Sequence, residues 1–592
     1  MARIVLFLSS KSSPRIIDAG KYPFVSLQGR KYQRELLNHG DAFFVPTIID
    51  QDSALSYDGV DLAISIYLDC IQSGIFDIAV FLLSAEDKGS FYSHCDRADL
   101  LKCPNVHFLK NTKVAIEESI RTLTTSPIEN ETALNALKNL RIKAPSAYKT
   151  HHSITNEWSI YRWSKYLGLD SVGVSSEIEN SLYFKHLAVV NRLSSIGSTN
   201  LLPSIPADPK TPKRILLVDD EAEKGWNDFF KRFLSQSSVS FESLGESSFK
   251  RKTSKEIEDL VITKVRSFNP DLVILDLRLE DADFNMDNRS VEYTGIRILK
   301  RIKLEINQGI QVIGFTASNK VWNYLDWSDS GHGIDDIIVK ESPDLSTSHN
   351  SYTADTINHL TKSLQPRLER GQFLKSIDSR LKQIGRLIKK TDSSYFTHEK
   401  ESLDIAFELI KQYDRDMKYV TYAYIQLFKI LEKYIQGLTR WDGVYFKLKH
   451  SGKEYLLLKY LSDTTNGKYH CESALKKGKR GLVIGKGTHD VGNFVESNYI
   501  MCAVLIYLYG KDGTPDNWIK VRDVRNQKAV HPEKYGDVTK DEFMRLLGFL
   551  QFFFDPNNLK LRNESEALVK PRSGSALADD PAVASLLSSL KK

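Results

Sequence analysis

The chain has 592 residues, which at roughly 100–200 residues per domain is enough for about three or four domains. Hydrophobic residues make up 41%, charged residues 26% and aromatic residues 10%, which excludes a predominantly disordered chain, since such chains are poor in the aromatics that build cores. The formal net charge is +6, from 81 Lys+Arg against 75 Asp+Glu, so any partner of one sign must be met by a local concentration of charge rather than by the average.

Five cysteines (Cys70, Cys95, Cys103, Cys471, Cys502) at irregular spacing in a long chain do not read as a disulfide framework and fit a reducing compartment. Cys95 and Cys103 lie near His94 and His107, but no paired Cys-x2-Cys spacing supports zinc, and buried thiols are the simpler reading. The apolar start MARIVLFLS lacks a cleavage site and reads as a strand rather than a leader. The longest apolar run, Tyr499–Tyr509, has eleven residues. A membrane span needs about 20, so this is a buried helix, and a cytoplasmic protein without membrane contact is expected.

The expected fold class is multidomain. Residues 1–200 alternate strand-like runs (Arg3–Leu8, Ala42–Ile48, Asp77–Leu83, Val106–Leu109) with helical patterns, as in a parallel α/β domain; residues 130–200 are mainly helical or irregular. Residues 201–212 carry four prolines (Pro203, Pro206, Pro209, Pro212) and can be neither helix nor central strand, so they read as a linker. Residues 213–345 alternate again: RILLVDD, a helix at Lys255–Phe268, DLVILDLRL, the helix TGIRILKRIKLE, QVIGFTAS and DDIIVKES. That is a doubly wound sheet. Residues 355–570 are mostly helical, interrupted at 441–490 by a Gly-rich, aromatic, lysine-rich insertion. Residues 571–592 form a small-residue tail.

Ligands of an open α/β sheet gather at the carboxyl ends of its strands. In the second block those ends carry Asp219 and Asp220, then Asp276, Thr316 and Lys340. Crowded carboxylates repel unless a cation joins them, and a hard, oxygen-preferring ion such as Mg2+ suits them. Asp276 can then act as a nucleophile toward a phosphoryl group, with the Lys340 charge and the Thr316 hydroxyl stabilising it. VDDE (218–221), LVILDLRL (272–279), FTAS (315–318) and DDIIVK (335–340) together resemble the receiver domain of two-component response regulators. The resemblance implies a flavodoxin-like fold in which Asp276 is the phosphoacceptor. It makes Asp219, Asp220 and Asp276 the Mg2+ ligands, Thr316 and Lys340 the switch residues, and a histidine kinase the partner. Two departures stand out. The loop after Asp276 is long and acidic, and Ile337 replaces the aromatic residue often found three positions before the lysine.

In the first block, FDIAVFLL (76–83) looks like PDLVILDL (270–277). Aligning Asp77 with Asp271 sets Leu82 where Asp276 stands, and the first strand is followed by Ser9 and Ser10 rather than acids. The block is expected to lack phosphoacceptor chemistry, as a pseudo-receiver or another sensing α/β domain.

VRDVRNQKAVHPE (521–533) places Arg525, Asn526 and His531 in an R-N-x4-H pattern, with Pro532 ending the helix beside His531. A histidine near neutrality can move protons at a 2′-hydroxyl or a leaving 5′-oxygen, and an arginine can clamp phosphate. The pattern resembles the HEPN superfamily. That resemblance implies an all-helical domain, metal-independent endoribonuclease chemistry at Arg525, Asn526 and His531, an RNA substrate and a homodimer formed through the helical domain. Residues 441–490 hold nine lysines and Arg480 against five acids. Lys476, Lys477, Lys479 and Arg480, with aromatics upstream, are candidates for contact with single-stranded RNA; a solvated insertion is the plain alternative. The leading expectation is a response regulator whose phosphorylation at Asp276 controls a ribonuclease, in the manner of toxins or antiphage effectors. The competing ones are a non-catalytic signalling or nucleic-acid-binding regulator and a phosphorelay adaptor.

Overall fold

The computed structural model describes residues 3–8, 24–28, 37–49, 57–124, 126–144, 151–169, 178, 181–191, 202–206, 212–284, 293–317, 333–348, 351–441, 445–450, 453–463, 468–478, 481–492, 501, 504–505, 508–509 and 514–558. They fall into two compact units, one formed by 1–306 with 310–369 and the other by 307–309 with 370–592.

The first unit holds two parallel sheets. Strands β1 (Ile4–Leu8), β2 (Phe24–Gln28), β3 (Ala42–Pro46), β4 (Ala79–Ser84) and β5 (Val106–Lys110) form the first, in the order β2-β1-β3-β4-β5. Strands β3 and β4 are buried at every position, the pattern of parallel strands covered on both faces. Helix α1 (Asp58–Gln72) joins them and buries Val60, Ala63, Ile64, Tyr67 and Leu68, spaced by three and four residues. Helix α2 (Lys113–Arg121) follows β5, and α3 (His151–Tyr166) and α4 (Leu182–Val190) follow in turn.

Strands β6 (Lys213–Val218), β7 (Val239–Leu244), β8 (Leu272–Leu275), β9 (Gln311–Thr316) and β10 (Asp336–Val339) form the second sheet, ordered β10-β9-β8-β6-β7 with every pairing parallel. Its helices are α5 (Trp226–Phe233), α6 (Ser254–Phe268) and α7 (Thr294–Arg301). A capping box between Thr253 and Glu256 starts α6, and Asn269 at φ 53° stops it. In chain order both sheets run second–first–third–fourth–fifth, the flavodoxin-like arrangement.

This order corrects the alignment of FDIAVFLL with PDLVILDL. The strand containing Leu82 is the fourth of its sheet, not the third, because Phe24–Gln28 forms a strand that its short, half-polar sequence conceals. The true third strand ends at Pro46, and the two third strands share a detail. The Gly59 amide donates to the Thr47 carbonyl, and the Gly295 amide donates to the Leu277 carbonyl, both at 3.2 Å. A Cβ on Gly59 would lie 1.6 Å from the Pro46 oxygen, and one on Gly295 would lie 2.3 Å from the Asp276 oxygen. Each helix therefore needs glycine where it crosses the strand end. Gly295→Ala is expected to cost about 1–3 kcal/mol, the range for overpacking, and Gly59→Ala more; urea unfolding midpoints check both.

The proline-rich stretch is neither helix nor strand at 202–206, but it is tied down. Ile205 is buried, its amide donates to Ser237 Oγ, and Ser237 Oγ donates to the Pro203 carbonyl.

Helix α8 (Tyr352–Thr391) is 40 residues long. Its Ile357, Leu360, Leu364 and Leu368 cover one face of the second sheet. From residue 370 it belongs to the second unit, with α9 (Ser393–Ile410), α10 (Lys418–Leu438), α11 (Thr514–Val524) and α12 (Lys540–Phe554). Ile384, Phe407, Leu431, Trp518 and Leu550 lie in one core. Within Tyr499–Tyr509, the described residues Met501, Val504, Leu505, Leu508 and Tyr509 are helical and buried in that core. Strands β11 (Thr439–Trp441), β12 (Tyr445–His450), β13 (Lys453–Asp463), β14 (Lys468–Gly478) and β15 (Gly481–Gly492) form an antiparallel meander between α10 and α11. No helix among the described residues is long and apolar enough to cross a membrane.

Candidate functional site

Strands β6 and β8 pair with Val218 opposite Leu275, so the next residues, Asp219 and Asp276, emerge side by side at the carboxyl edge. Strand β10 pairs Val339 with Thr316, and the Lys340 amide donates to the Thr316 carbonyl at 2.8 Å. That register turns Lys340 into the same space. Its Nζ donates to Asp219 Oδ2 and Asp276 Oδ2, each at 2.8 Å, with all three side chains fully buried. The ammonium also lies 4.7 Å from the Phe315 ring and 5.6 Å from the Trp226 ring, within cation–π range. Thr316 is fully buried at the end of β9.

Asp219, Asp220 and Asp276 each offer a carboxylate oxygen within 4.8 Å of the others. Burial raises the Asp219 carboxyl above its ordinary pKa, and the neighbouring Asp276 adds to this while Lys340 opposes it. Burial also raises Asp220 well above the ordinary range, reinforced by Asp276 and Asp219. Burial alone would lower the Lys340 pKa, but the Asp219 and Asp276 carboxylates outweigh it and hold the ammonium protonated. One ammonium faces three carboxylates. The donor set is all hard oxygen, and the excess negative charge is of the kind a divalent cation offsets, so the residues fit Mg2+. Among the described residues this is the one group of three or more acids, histidines or cysteines placed to hold a metal; Cys95 and Cys103 are simply buried.

The long loop after Asp276 is anchored by Asp283, a residue that sequence reasoning passed over. Its carboxylate accepts from the Leu279 amide at 2.9 Å and from the Thr294 amide at 3.0 Å, tying the loop to the start of α7.

The first sheet presents different residues at the matching positions. Leu6 pairs with Phe44, so Leu8 stands opposite Pro46, where the second sheet sets Asp219 opposite Asp276. Ser84, the last residue of β4, matches Thr316. The Asn111 amide donates to the Ser84 carbonyl at 2.9 Å, as Lys340 does to Thr316, so Asn111 stands at the lysine position. Ser84 keeps a hydroxyl at the Thr316 position, but no carboxylate and no lysine stands at the places of Asp219, Asp276 and Lys340. Ser9 and Ser10 lie outside the described residues.

In the second unit, Arg525–Ala529 form a π-turn continuing α11. Arg525 donates to Asn526 Oδ1 at 3.1 Å, faces Glu432 Oε1 at 3.4 Å, and lies 5.7 Å from the Phe428 ring. Asn526 is exposed. His531 starts the short helix Pro532–Tyr535 without capping it through its side chain. Its Nδ1 lies 3.4 Å from Glu533 Oε1, and the side chain is 58% exposed. No hydrogen bond joins Arg525 to His531 among the described residues. Glu432, on α10, is the partner that a linear motif could not reveal. Lys476 and Lys477 lie on β14, paired with Val483 and Leu482; Lys479 and Arg480 fall outside the described residues.

No protein-family model and no curated protein matches the chain. Solved structures do. The response regulator protein TrrA of Thermotoga maritima, in complex with Mg2+-BeF, is 21% identical over 25% of this chain and 98% of its own, with a TM-score of 0.17. The signal receiver domain of a Luxo repressor protein from Vibrio parahaemolyticus is 20% identical over 26% of this chain and 98% of its own, with a TM-score of 0.16. A two-component system response regulator/GGDEF domain protein is 12% identical over 60% of this chain and 99% of its own, with a TM-score of 0.15. At such identities and scores these likenesses carry no weight for mechanism.

Proposed function

We propose that the second sheet is a receiver-type phosphoacceptor switch and that the helical unit is the ribonuclease it controls. The observation that carries the first half is the Lys340 ammonium, held at 2.8 Å from both Asp219 and Asp276 beside a third carboxylate. In this reading Asp276 Oδ attacks the phosphorus of a phosphodonor, such as the phosphohistidine of a partner kinase. The new O–P bond forms as the donor's P–N bond breaks, and the imidazole leaves with a proton. Lys340 and the Thr316 hydroxyl then stabilise the added phosphoryl oxygens. Asp219, Asp220 and Asp276 would hold the Mg2+, which would supply positive charge against that of the incoming phosphate. The first sheet, with the same strand order but Leu8, Pro46 and Asn111 at the matching positions, is a pseudo-receiver that takes no phosphate.

Support for the second half is the R-N-x4-H pattern on a helical bundle, with Arg525 set by Glu432 and with an exposed His531. Arg525 binds the scissile phosphate and His531 moves the proton, with Lys476, Lys477, Lys479 and Arg480 along the RNA strand. The HEPN resemblance brings with it pairing with a second copy. Acetyl phosphate with Mg2+ is expected to add one phosphoryl group to the full chain, seen on phosphate-affinity gels, and none to Asp276→Asn. Labelling that persists in the variant would overturn the receiver reading. Labelling without any effect on RNA would leave a phosphorelay adaptor.

A further inference from the structure

Helix α3 (His151–Tyr166) lies outside the second sheet's own sequence, yet it grips both flanks of the acidic pocket. On one flank, Ser153 Oγ donates to Glu221 Oε1 and Asn156 Nδ2 donates to Glu221 Oε2, each at 2.5 Å. The Glu221 amide in turn donates to Asp219 Oδ1 at 2.9 Å. The carbonyl of the same Asn156 accepts from Trp226 Nε1 at 2.8 Å, and the Trp226 ring borders Lys340. On the other flank is Glu341, the residue after Lys340. Its carboxylate receives Arg162 Nε at 3.3 Å and Trp163 Nε1 at 3.1 Å, and its backbone carbonyl accepts from Ser159 Oγ at 2.9 Å. Asn156, Ser159 and Glu341 are fully buried.

We propose that Asn156 is a positioning residue for the acidic pocket: it fixes the metal ligand Asp219 through Glu221 and the Lys340 environment through Trp226, so that α3 sets the affinity of the pocket for a divalent cation. This rests on the receiver reading above. The side-chain amide of Asn156 suits this place, because its NH2 and its carbonyl point to different partners. A side chain that donates and accepts at once is needed to bridge the Glu221 carboxylate and the Trp226 indole N–H. An aspartate would repel Glu221, and an aliphatic residue would take the Asn156 donor from Glu221 Oε2 and the acceptor from the buried Trp226 N–H, leaving Glu221 to Ser153 and to Lys224 Nζ at 2.8 Å. Partners one step removed from a metal commonly change its affinity about 10–100-fold when lost. Coupling is reciprocal, so cation binding also tightens the hold on α3.

The test is a MgCl2 titration of the full chain, followed by calorimetry and by tryptophan fluorescence, with circular dichroism and melting recorded for each variant. Asn156→Ala is expected to weaken Mg2+ binding about 10-fold or more, and Ser153→Ala, which removes one of the two α3 donors to Glu221, is expected to weaken it less. At saturating Mg2+ the rate of acetyl phosphate labelling should recover in both, which a merely damaged fold would not allow. Equal Mg2+ affinity in wild type, Asn156→Ala and Ser153→Ala overturns the proposal. If Asn156→Ala does not fold, Ser153→Ala decides by the same criterion. Failure of the receiver reading looks different: the wild type itself binds no Mg2+, or binds it no better than Asp276→Asn does.

Discussion

Lys340→Ala is expected to lower the unfolding free energy by about 3–5 kcal/mol, the range for removing one partner of a buried ion pair. The lysine is fully buried, donates to two fully buried carboxylates and rests against two aromatic rings. Without it, Asp219, Asp220 and Asp276 face one another with no countercharge, and a void replaces a long side chain. Two consequences separate the electrostatic loss from the void. Mg2+ should restore part of the stability, because a ligand that binds only the folded state adds to it. Adding Asp276→Asn to Lys340→Ala should cost less than the sum of the single changes, because the pair is coupled. Urea unfolding of the full chain, with and without MgCl2, measures both. A loss below about 1 kcal/mol, the size of an exposed pair, would mean that the lysine does not carry the pocket.

His531→Ala is expected to reduce cleavage of single-stranded RNA about 10²–10⁴-fold, the usual contribution of a group that transfers a proton in the transition state. His531 is exposed and bordered by Glu533, so a substrate can reach it without rearrangement of the core. The substitution removes no buried contact, and the melting temperature should not move. Glu432→Gln, which weakens the hold on Arg525, should impair the same reaction less. Gel assays at matched protein concentration read both effects: with chelator present they isolate the metal-independent cleavage, and with MgCl2, with and without acetyl phosphate, they give the direction of control. RNA left intact by wild type in every state removes the ribonuclease reading.

Much of the pocket was legible in the sequence because Asp219, Asp276 and Lys340 each directly follow an apolar strand. LLV precedes Asp219, VIL precedes Asp276, and DIIV precedes Lys340, and strand ends of a doubly wound sheet meet at one edge by geometry. The support around it was not legible. Asn156 and Glu221 are 65 residues apart, and Trp163 and Glu341 are 178 apart; no local spacing links them. Helix α3 (HHSITNEWSIYRWSKY) lies within 130–200, which the sequence marks only as mainly helical or irregular, and nothing in that reading shows that Ser153, Asn156 and Arg162 are buried against Glu221 and Glu341. The first sheet misled for a different reason. FVSLQ is too short and too polar to announce a strand, and missing it shifted the count so that Leu82, rather than Pro46, stood against Asp276. In the helical unit, the motif located Arg525 and His531 but could not reveal the π-turn between them or Glu432 on another helix.

The burial of α3 has a consequence for how the first unit folds. Trp158 of this helix stacks on Phe184, while Trp163 packs against Trp226 and Phe315 of the second sheet. A segment with so many polar groups gains by leaving water only when its hydrogen-bond partners already exist, since each unmade bond in the interior costs about 1–3 kcal/mol. Its polar partners Glu221, Trp226 and Glu341 all lie on the second sheet's side, so α3 is expected to order after that sheet has condensed and, through Trp158 and Phe184, to couple the opening of the first sheet to it. The two sheets, each complete in topology, are expected to unfold in one urea transition, and two separate transitions in the wild type would refute this coupling.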